Sequence, residues 1–405
     1  MTDRTLLVTI SGTDRPGVTR AIFTSMAAHP VHVTDMEQLV VRGRLILVVL
    51  VSIDSHVADA DAAAVLHETR TAVRMAASAL DLEVSTVPGA AERATNIGDK
   101  FQVIVMGDPL SAEAISRVSA SIADLGGNID RIHRVAAYPV TAIRFEGTGA
   151  HPDNMRRELA AVSAQCNVDI SVQDVSLESR GQYLVVMDVD STLIQDEVVD
   201  LLAERAGVGD LVSRITERAM NGEIDFAQSL RERVALLAGL DEGVLEEVRN
   251  QVRLSPGART LCRTLNRLGY RIVLVSGGFI NVIGPIAAEL GVSEVRANTL
   301  EVIDGKLTGG LIGSIVDRVG KRKALEEVAL RHAIPRRRII AIGDGANDID
   351  MLEAAGLGVA FNAKKALQDH ADTAVNLPYL DSVLYLLGIT REEIEAADAQ
   401  ELSQR

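Results

Sequence analysis

Residues 183–193, YLVVMDVDSTL, decide how the second half of the chain is interpreted. The apolar run before Asp188 predicts a short buried strand, which is typical of a parallel sheet covered on both faces. Asp188 and Asp190 follow the strand, two positions apart. Because ligand sites of open parallel sheets lie beyond the carboxyl ends of the strands, we expect both carboxylates to face a site.

Two further apolar runs end in polar residues, RIVLV before Ser276 and RIIAIG before Asp344. The carboxyl ends of parallel strands share one edge of the sheet, so all three endings are predicted to converge. Asp188, Asp190, Asp344 and Asp348 then form a cluster of oxygen ligands. Such ligands suit Mg²⁺.

The same residues predict phosphoryl transfer. A carboxylate that attacks a phosphate dianion needs a shared cation, because like charges repel. Asp188 is the predicted nucleophile, and Asp190, whose pKa would be raised by neighbouring carboxylates, is the predicted general acid and base. Ser276 and Gly277 offer a hydroxyl and an unobstructed N–H where a helix begins, and Lys321 offers a cation. The product of attack would be an acyl phosphate, which water cleaves.

Composition excludes several classes of protein. A net charge of -15 and the lack of a basic block argue against nucleic acid as a partner. Cys166 and Cys262 lie in unrelated segments, which argues against a disulfide framework and a structural zinc site. The longest apolar run, 45–51, is too short to cross a membrane, and the N-terminus lacks the features of a signal peptide. We expect a soluble, cytoplasmic protein with no membrane partner.

The first half contains a repeat of element order. Residues 1–92 and 98–176 each predict strand, turn, helix, two strands, helix and strand, which is a split β-α-β unit. Residues 182–395 predict strand-helix alternation, interrupted at about 197–254 by a nearly all-helical stretch that we interpret as a cap over the site. The polar tail after Thr390 predicts a frayed helix without a chemical role.

The motifs of the second half resemble those of the haloacid dehalogenase superfamily of phosphatases. MDVDSTL, VSGGF, a Gly-Lys before a helix and GDGANDIDM follow one another from Met187 to Met351 in the order of that family. The resemblance implies an α/β fold, a Rossmann-like parallel sheet with a small helical cap. It also implies that Mg²⁺ is held by the side chains of Asp188 and Asp344 and by the backbone carbonyl of Asp190. Asp348 would be a metal-orienting carboxylate, and the substrate would meet Ser276, Gly277, Lys321 and Asn347.

Within the superfamily the resemblance narrows to phosphoserine phosphatases. Glu197 looks like the acid for a substrate ammonium, and Arg233 like the base for its carboxylate, which suits a zwitterion. Met220 and Phe226 resemble the apolar closure over the substrate. The resemblance implies hydrolysis of O-phospho-L-serine to L-serine and phosphate through an aspartyl-phosphate, in serine biosynthesis.

The first half resembles a pair of ACT domains, which are α+β ferredoxin-like modules. The resemblance implies an amino-acid sensor, feedback by serine or another amino acid, and a homodimer. Gly12, Asp14 and Gly107 are the candidate regulatory site, although a tight turn explains the glycines equally well. A purely structural role for this half stays open.

Two alternative functions also stay open. One is a related phosphatase or phosphotransferase for another small phosphomonoester, such as phosphothreonine or a sugar phosphate. The other is an amino-acid-sensing regulator with a vestigial catalytic domain, against which the intact set of four aspartates and Lys321 argues.

Overall fold

The structure, a computed structural model, describes residues 4–89, 99–175, 181–292 and 294–404, without the side chains of Met220 and of residues 402–404. The chain divides into two compact units, one within residues 1–95 and one within residues 96–405. The predicted boundaries at 1–92, 98–176 and 182–395 stay a prediction.

The first unit is the split β-α-β arrangement that the element order predicts. Its antiparallel sheet has the order β2-β3-β1-β4, and the central strands β1 and β3 alternate buried and more open residues, so that their apolar side chains pack against the two helices. Its elements are β1 (Thr5–Thr13), α1 (Val18–Met26), β2 (Val31–Val41), β3 (Arg44–Ile53), α2 (Asp59–Ser78) and β4 (Glu83–Pro88).

The second unit begins with the same arrangement. Its sheet has the order β6-β7-β5-β8, which is the order of the first sheet with each strand shifted by one repeat. The elements are β5 (Lys100–Gly107), α3 (Ala112–Asp124), β6 (Asn128–Ala136), β7 (Thr141–Thr148), α4 (Pro152–Cys166) and β8 (Asp169–Asp174).

A seven-stranded sheet forms the rest of the second unit, in the order β12-β11-β10-β9-β13-β14-β15. All neighbours pair in parallel except β11 and β12, which are antiparallel. The strands are β9 (Leu184–Met187), β10 (Arg271–Phe279), β11 (Glu294–Ile303), β12 (Lys306–Ile312), β13 (Ile339–Gly343), β14 (Leu357–Phe361) and β15 (Thr373–Val375). Because β9 lies between β10 and β13, the three motif-bearing strand ends are neighbours at one edge of the sheet.

Helices cover this sheet and form the cap. The cap consists of α5 (Val198–Arg205), α6 (Gly209–Met220), α7 (Phe226–Ala235) and α8 (Gly243–Gln251), in agreement with the predicted insertion. The helices around the sheet are α9 (Ala258–Arg267), α10 (Ile280–Glu289), α11 (Arg318–Arg331), α12 (Ile349–Ala354), α13 (Lys365–Gln368), α14 (Ser382–Leu386) and α15 (Arg391–Gln404).

The C-terminal tail is ordered, so the prediction of a frayed helix is wrong. Within α15, Ile394 is 2% exposed, and Asp398 pairs with Arg267 at 2.5 Å and also with Arg263. A tail that is polar by composition is thus held by one buried aliphatic side chain and several ion pairs. In the part of the chain that the structure describes, no helix is both long and apolar enough to cross a membrane.

Candidate active site

Asp188 lies just beyond the end of β9, and the two flanking strands fix its position. Its backbone N–H donates to the carbonyl of Ile342 in β13 at 2.9 Å. One carboxylate oxygen accepts from the N–H of Val189 at 2.7 Å, and the other lies 2.7 Å from the Lys321 ammonium. With 3% of its surface exposed, the carboxylate is held in a single orientation.

Lys321 joins two carboxylates. It lies in α11, is wholly buried, and its Nζ is 2.7 Å from both Asp188 Oδ2 and Asp348 Oδ1. Burial and the charge of Asp348 raise the pKa of Asp188 well above its ordinary value, and the ammonium opposes that rise. The single ammonium of Lys321 therefore lies between two carboxylates and can neutralise the charge of only one.

Three carboxylates come close enough to share a metal ion. Asp188, Asp344 and Asp348 each have a ligand oxygen within 4.8 Å of the others. Burial and the charge of Asp348 raise the pKa of Asp344 to about 6. A set of hard oxygen donors with excess negative charge fits Mg²⁺, which would offset the mutual repulsion of these groups.

The carboxylate of Asp190 takes other partners. It accepts from the backbone N–H of Val198 at 2.9 Å and from the hydroxyl of Ser276 at 2.8 Å. Burial raises its pKa, and these two hydrogen bonds oppose the rise. The side chain thus suits proton transfer, and its predicted metal contact through the backbone carbonyl stays a prediction.

The Ser-Gly-Gly segment that ends β10 lies between the carboxylate of Asp190 and the cap. Ser276 Oγ accepts from the N–H of Gly278 at 2.7 Å, which turns the backbone around the hydroxyl. A Cβ on Gly277 would lie 2.9 Å from the ring of Phe226, at the start of cap helix α7. A side chain at 277 would therefore press on the Phe226 ring, which would have to shift.

Glu197 lies at the base of the cap, immediately before α5. Its carboxylate accepts from the hydroxyl of Ser191 at 2.9 Å, and Ser191 itself has a left-handed backbone with φ of 57°. Although Glu197 as a whole residue is exposed, desolvation of its carboxylate and the charge of Asp190 raise its pKa to about 7. The Ser191 hydrogen bond favours the ionised form.

Arg233 is half-buried in α7. Burial lowers its pKa, and the charges of Asp200 and Glu197 oppose that change. Its Nε has no hydrogen-bond partner among the residues that the structure describes. Glu197 thus lies at the base of the cap and Arg233 within it, and the guanidinium retains donor capacity for an anion. Their contacts with a substrate stay a prediction.

The other predicted residues lie in different places. Asn347 is half-buried in the short turn Ala346–Asp348, between two of the clustered carboxylates. Met220 ends α6, and its side chain lies outside the described residues. Gly12 and Asp14 belong to the first unit, where a Cβ on Gly12 would meet Leu82, and Gly107 belongs to the second unit. Their regulatory role stays a prediction.

Sequence reasoning missed three polar residues that hold the site in shape. Ser191 and Thr192 directly follow Asp190 in the sequence, and this proximity was the signal that could have found them. Thr192 is buried and donates to Asp344 Oδ1 at 3.1 Å. Asn298 in β11 donates to the carbonyl of Gly277 at 2.8 Å, and no local pattern around it predicts this contact.

Comparisons with known proteins identify the families to which the parts of the chain are similar. Residues 185–353 match the model of haloacid dehalogenase-like hydrolases, and residues 4–86 and 100–173 match models of ACT domains. The chain is 51% identical to the phosphoserine phosphatase of Streptomyces coelicolor, over 97% of this chain and 94% of that protein. It is 47% identical to the phosphoserine phosphatase SerB2 of Mycobacterium tuberculosis, over 99% and 97% of the two chains.

A solved structure is also similar. The probable phosphoserine phosphatase of Vibrio cholerae superposes with a TM-score of 0.59 at 31% identity, over 76% of this chain and 91% of that one. The predicted fold class is confirmed, as is the predicted family. The chain belongs to the phosphoserine phosphatase family, with a haloacid dehalogenase-like hydrolase domain that follows two ACT domains.

Proposed function

We propose that this chain hydrolyses O-phospho-L-serine to L-serine and phosphate through a phosphoryl intermediate on Asp188, as a step of serine biosynthesis. The observation that supports this most is the buried cluster of Asp188, Lys321 and Asp348 below a cap that carries Glu197 and Arg233. The near full-length likeness to phosphoserine phosphatases supports the choice of substrate.

The substrate would be bound at both ends. Its phosphate would take hydrogen bonds from the Lys321 ammonium, which lies 2.7 Å from Asp188, and from the Gly277 N–H. The Ser276 hydroxyl, which donates to Asp190 in this structure, would turn to the phosphate as a third donor. Its ammonium would face Glu197, and its carboxylate would take two parallel hydrogen bonds from Arg233. A neutral ester lacks both of these cap contacts, so the cap sets specificity.

The chemistry follows in two steps. An Asp188 oxygen attacks phosphorus, the bond from phosphorus to the seryl oxygen breaks, and Asp190 gives its proton to that oxygen. Asp190 then accepts a proton from the water that attacks the acyl phosphate, and phosphate leaves Asp188. The raised pKa of Asp190 supports both roles, since a catalytic acid and base works best when its pKa approaches the working pH.

A bound Mg²⁺ would supply the positive charge that lets an anionic nucleophile approach a phosphate dianion. Asp188 and Asp344 would hold it with their side chains, Asp190 with its backbone carbonyl, and Asp348 would orient it. The oxygen donor set supports this proposal.

The first experiment uses Asp188→Asn, which keeps the shape of the side chain and removes its charge. Phosphate release from phosphoserine with Mg²⁺ is expected to stop, while the circular dichroism spectrum stays that of the wild type. Retained turnover would refute the assignment of the nucleophile.

The second experiment tests the substrate. Arg233→Ala is expected to raise KM for phosphoserine and to leave KM for a neutral phosphate ester unchanged. The matched control is Arg231→Ala, on an exposed position of the same helix. Equal effects on both esters would contradict the role of Arg233.

We further propose a homodimer in the cytoplasm that responds to serine or another amino acid. The edge strand β2 supports the dimer, because Met36, Leu39 and Val41 are each about half exposed there. Sedimentation of the full chain tests it, and a monomer at micromolar concentration would refute it.

A further inference from the structure

The cap helix α7 carries a second polar side chain on the side that Arg233 occupies. Ser229 lies four residues before Arg233, so the two side chains are one turn apart on the same side of the helix. Phe226 lies on this side as well, and a Cβ on Gly277 would lie 2.9 Å from its ring. Because Gly277 belongs to the segment that ends β10 beside Asp190, this side of α7 faces the catalytic edge of the sheet.

Ser229 and Arg233 each hold a buried polar atom without a hydrogen-bond partner. Ser229 is 1% exposed, and neither its Oγ nor Arg233 Nε makes a hydrogen bond within the part of the chain that the structure describes. Buried polar groups are normally bonded, because an unsatisfied donor costs stability. Two such groups on one side of one helix therefore indicate a partner that the described residues do not supply.

A hydroxyl inside a helix ordinarily bonds to the carbonyl one turn earlier. Thr216 in the neighbouring cap helix α6 does so, since its hydroxyl donates to the carbonyl of Val212 at 3.1 Å. The corresponding carbonyl for Ser229 is that of Asp225, which accepts the backbone N–H of Ser229 at 2.9 Å but no bond from its hydroxyl. The hydroxyl of Ser229 is thus not used within the helix.

The surroundings of Arg233 give the unpaired hydroxyl its meaning. Burial alone would not do so, because Ser382 in α14 is also buried with an unpaired hydroxyl. Arg233 lies close enough to Glu197 and to the catalytic Asp190 for their charges to act on it, but it forms no ion pair within the described ranges. Its guanidinium is therefore directed to the active site with donors to spare, and Ser229 lies beside it.

We propose that Ser229 is a specificity-determining residue of this active site, and that its hydroxyl donates to the substrate carboxylate beside the guanidinium of Arg233. A carboxylate has two oxygens with about four positions for a donor, so it accepts from both side chains at once. Both side chains then gain a partner that the described residues do not provide. The inference rests on the proposed function, because the carboxylate is that of phosphoserine.

The first experiment uses Ser229→Ala, which removes the hydroxyl and retains the helix. KM for phosphoserine is expected to rise about tenfold, a change of about 1.4 kcal/mol, while kcat stays that of the wild type. The carboxylate lies away from the reacting phosphorus, so its hydrogen bonds are made in the ground state and the transition state alike.

A second ester shows which part of the substrate the hydroxyl contacts. O-Phosphoethanolamine keeps the phosphate and the ammonium of phosphoserine and lacks the carboxylate. Its affinity, measured as a substrate or as a competitor of phosphoserine, is expected to be the same for wild type and Ser229→Ala. An unchanged KM for phosphoserine, or an equal loss of affinity for both esters, would overturn the inference.

The matched control is Ser382→Ala, which removes a buried and unpaired hydroxyl from α14. Both alanine variants are expected to melt at or above the temperature of the wild type, because neither change breaks a hydrogen bond of the folded chain. Ser382→Ala is expected to keep the wild-type KM. A lower melting temperature for Ser229→Ala, with the same rise in KM for both esters, would assign the hydroxyl a structural role and refute the inference.

A double variant tests whether Ser229 and Arg233 hold the same group. In Arg233→Ala the carboxylate loses its main anchor, so a further change of Ser229→Ala is expected to raise KM by a smaller factor than it does in the wild type. The same factor in both backgrounds would overturn the shared carboxylate. Failure of the proposed function looks different, since neither wild type nor Ser382→Ala would then release phosphate from phosphoserine.

Discussion

Lys321→Met tests the central electrostatic inference of the active site. The ammonium of Lys321 lies 2.7 Å from Asp188 and from Asp348, and its exposure is zero. Loss of one member of a buried ion pair costs about 3–5 kcal/mol, because the remaining charge stays buried without a partner. Methionine keeps the length of the side chain, so little of the loss comes from an empty space. We expect a value near the upper end of that range, because two carboxylates lose their partner.

The loss is measured by urea unfolding of the full chain, in chelator, followed by far-ultraviolet circular dichroism. The chain has two compact units, so the curve is fitted with one transition for each, and the loss is expected in the transition of residues 96–405. The matched control is Lys323→Met, on an exposed position of the same helix, with an expected change within about 0.5 kcal/mol.

Magnesium gives the second half of this test. At about 100 times its Kd a ligand that binds only the folded state stabilises it by about 2.7 kcal/mol. Mg²⁺ is expected to stabilise Lys321→Met more than the wild type, because it meets carboxylates that no ammonium neutralises. If Lys321→Met lowers the free energy of unfolding by less than about 1 kcal/mol, or by no more than Lys323→Met does, the reasoning is refuted.

Two further predictions concern the residues that hold the site. The pKa of Glu197 is raised to about 7, so its charge is lost as the pH falls through 7, and KM for phosphoserine is expected to rise there. Ser191→Gly suits the left-handed backbone but removes the hydroxyl, so it is expected to move this rise in KM to higher pH. An unchanged pH profile would contradict the role of the hydroxyl. Thr192→Val removes a hydrogen bond to Asp344, and the Mg²⁺ concentration for half-maximal turnover is expected to increase about 10- to 100-fold, with an unchanged Mg²⁺ titration as the contrary result.

Much of the secondary structure of this molecule can be predicted from local sequence. The strands β2 and β3 coincide with residues 31–41 and 44–53, because the two-residue connection Arg42-Gly43 has a left-handed backbone that ends one strand and begins the next. The catalytic motifs are equally local, since each pairs a buried strand with the polar residues that follow it. The tail after Thr390 is the counterexample, because its order depends on contacts with distant residues that its own letters do not reveal.

The sequence by itself determined the family and the order of its domains. It also predicted a nucleophilic role for Asp188, a metal site beside it, and substrate contacts for Glu197 and Arg233 in the cap. Only the tertiary structure decided which groups touch: that Lys321 bridges Asp188 and Asp348, and that Thr192 donates to Asp344. The reason is physical. Strands and helices form from neighbours in the chain, whereas hydrogen bonds and ion pairs between segments more than a hundred residues apart exist only after the sheets have packed and the charges have lost their water.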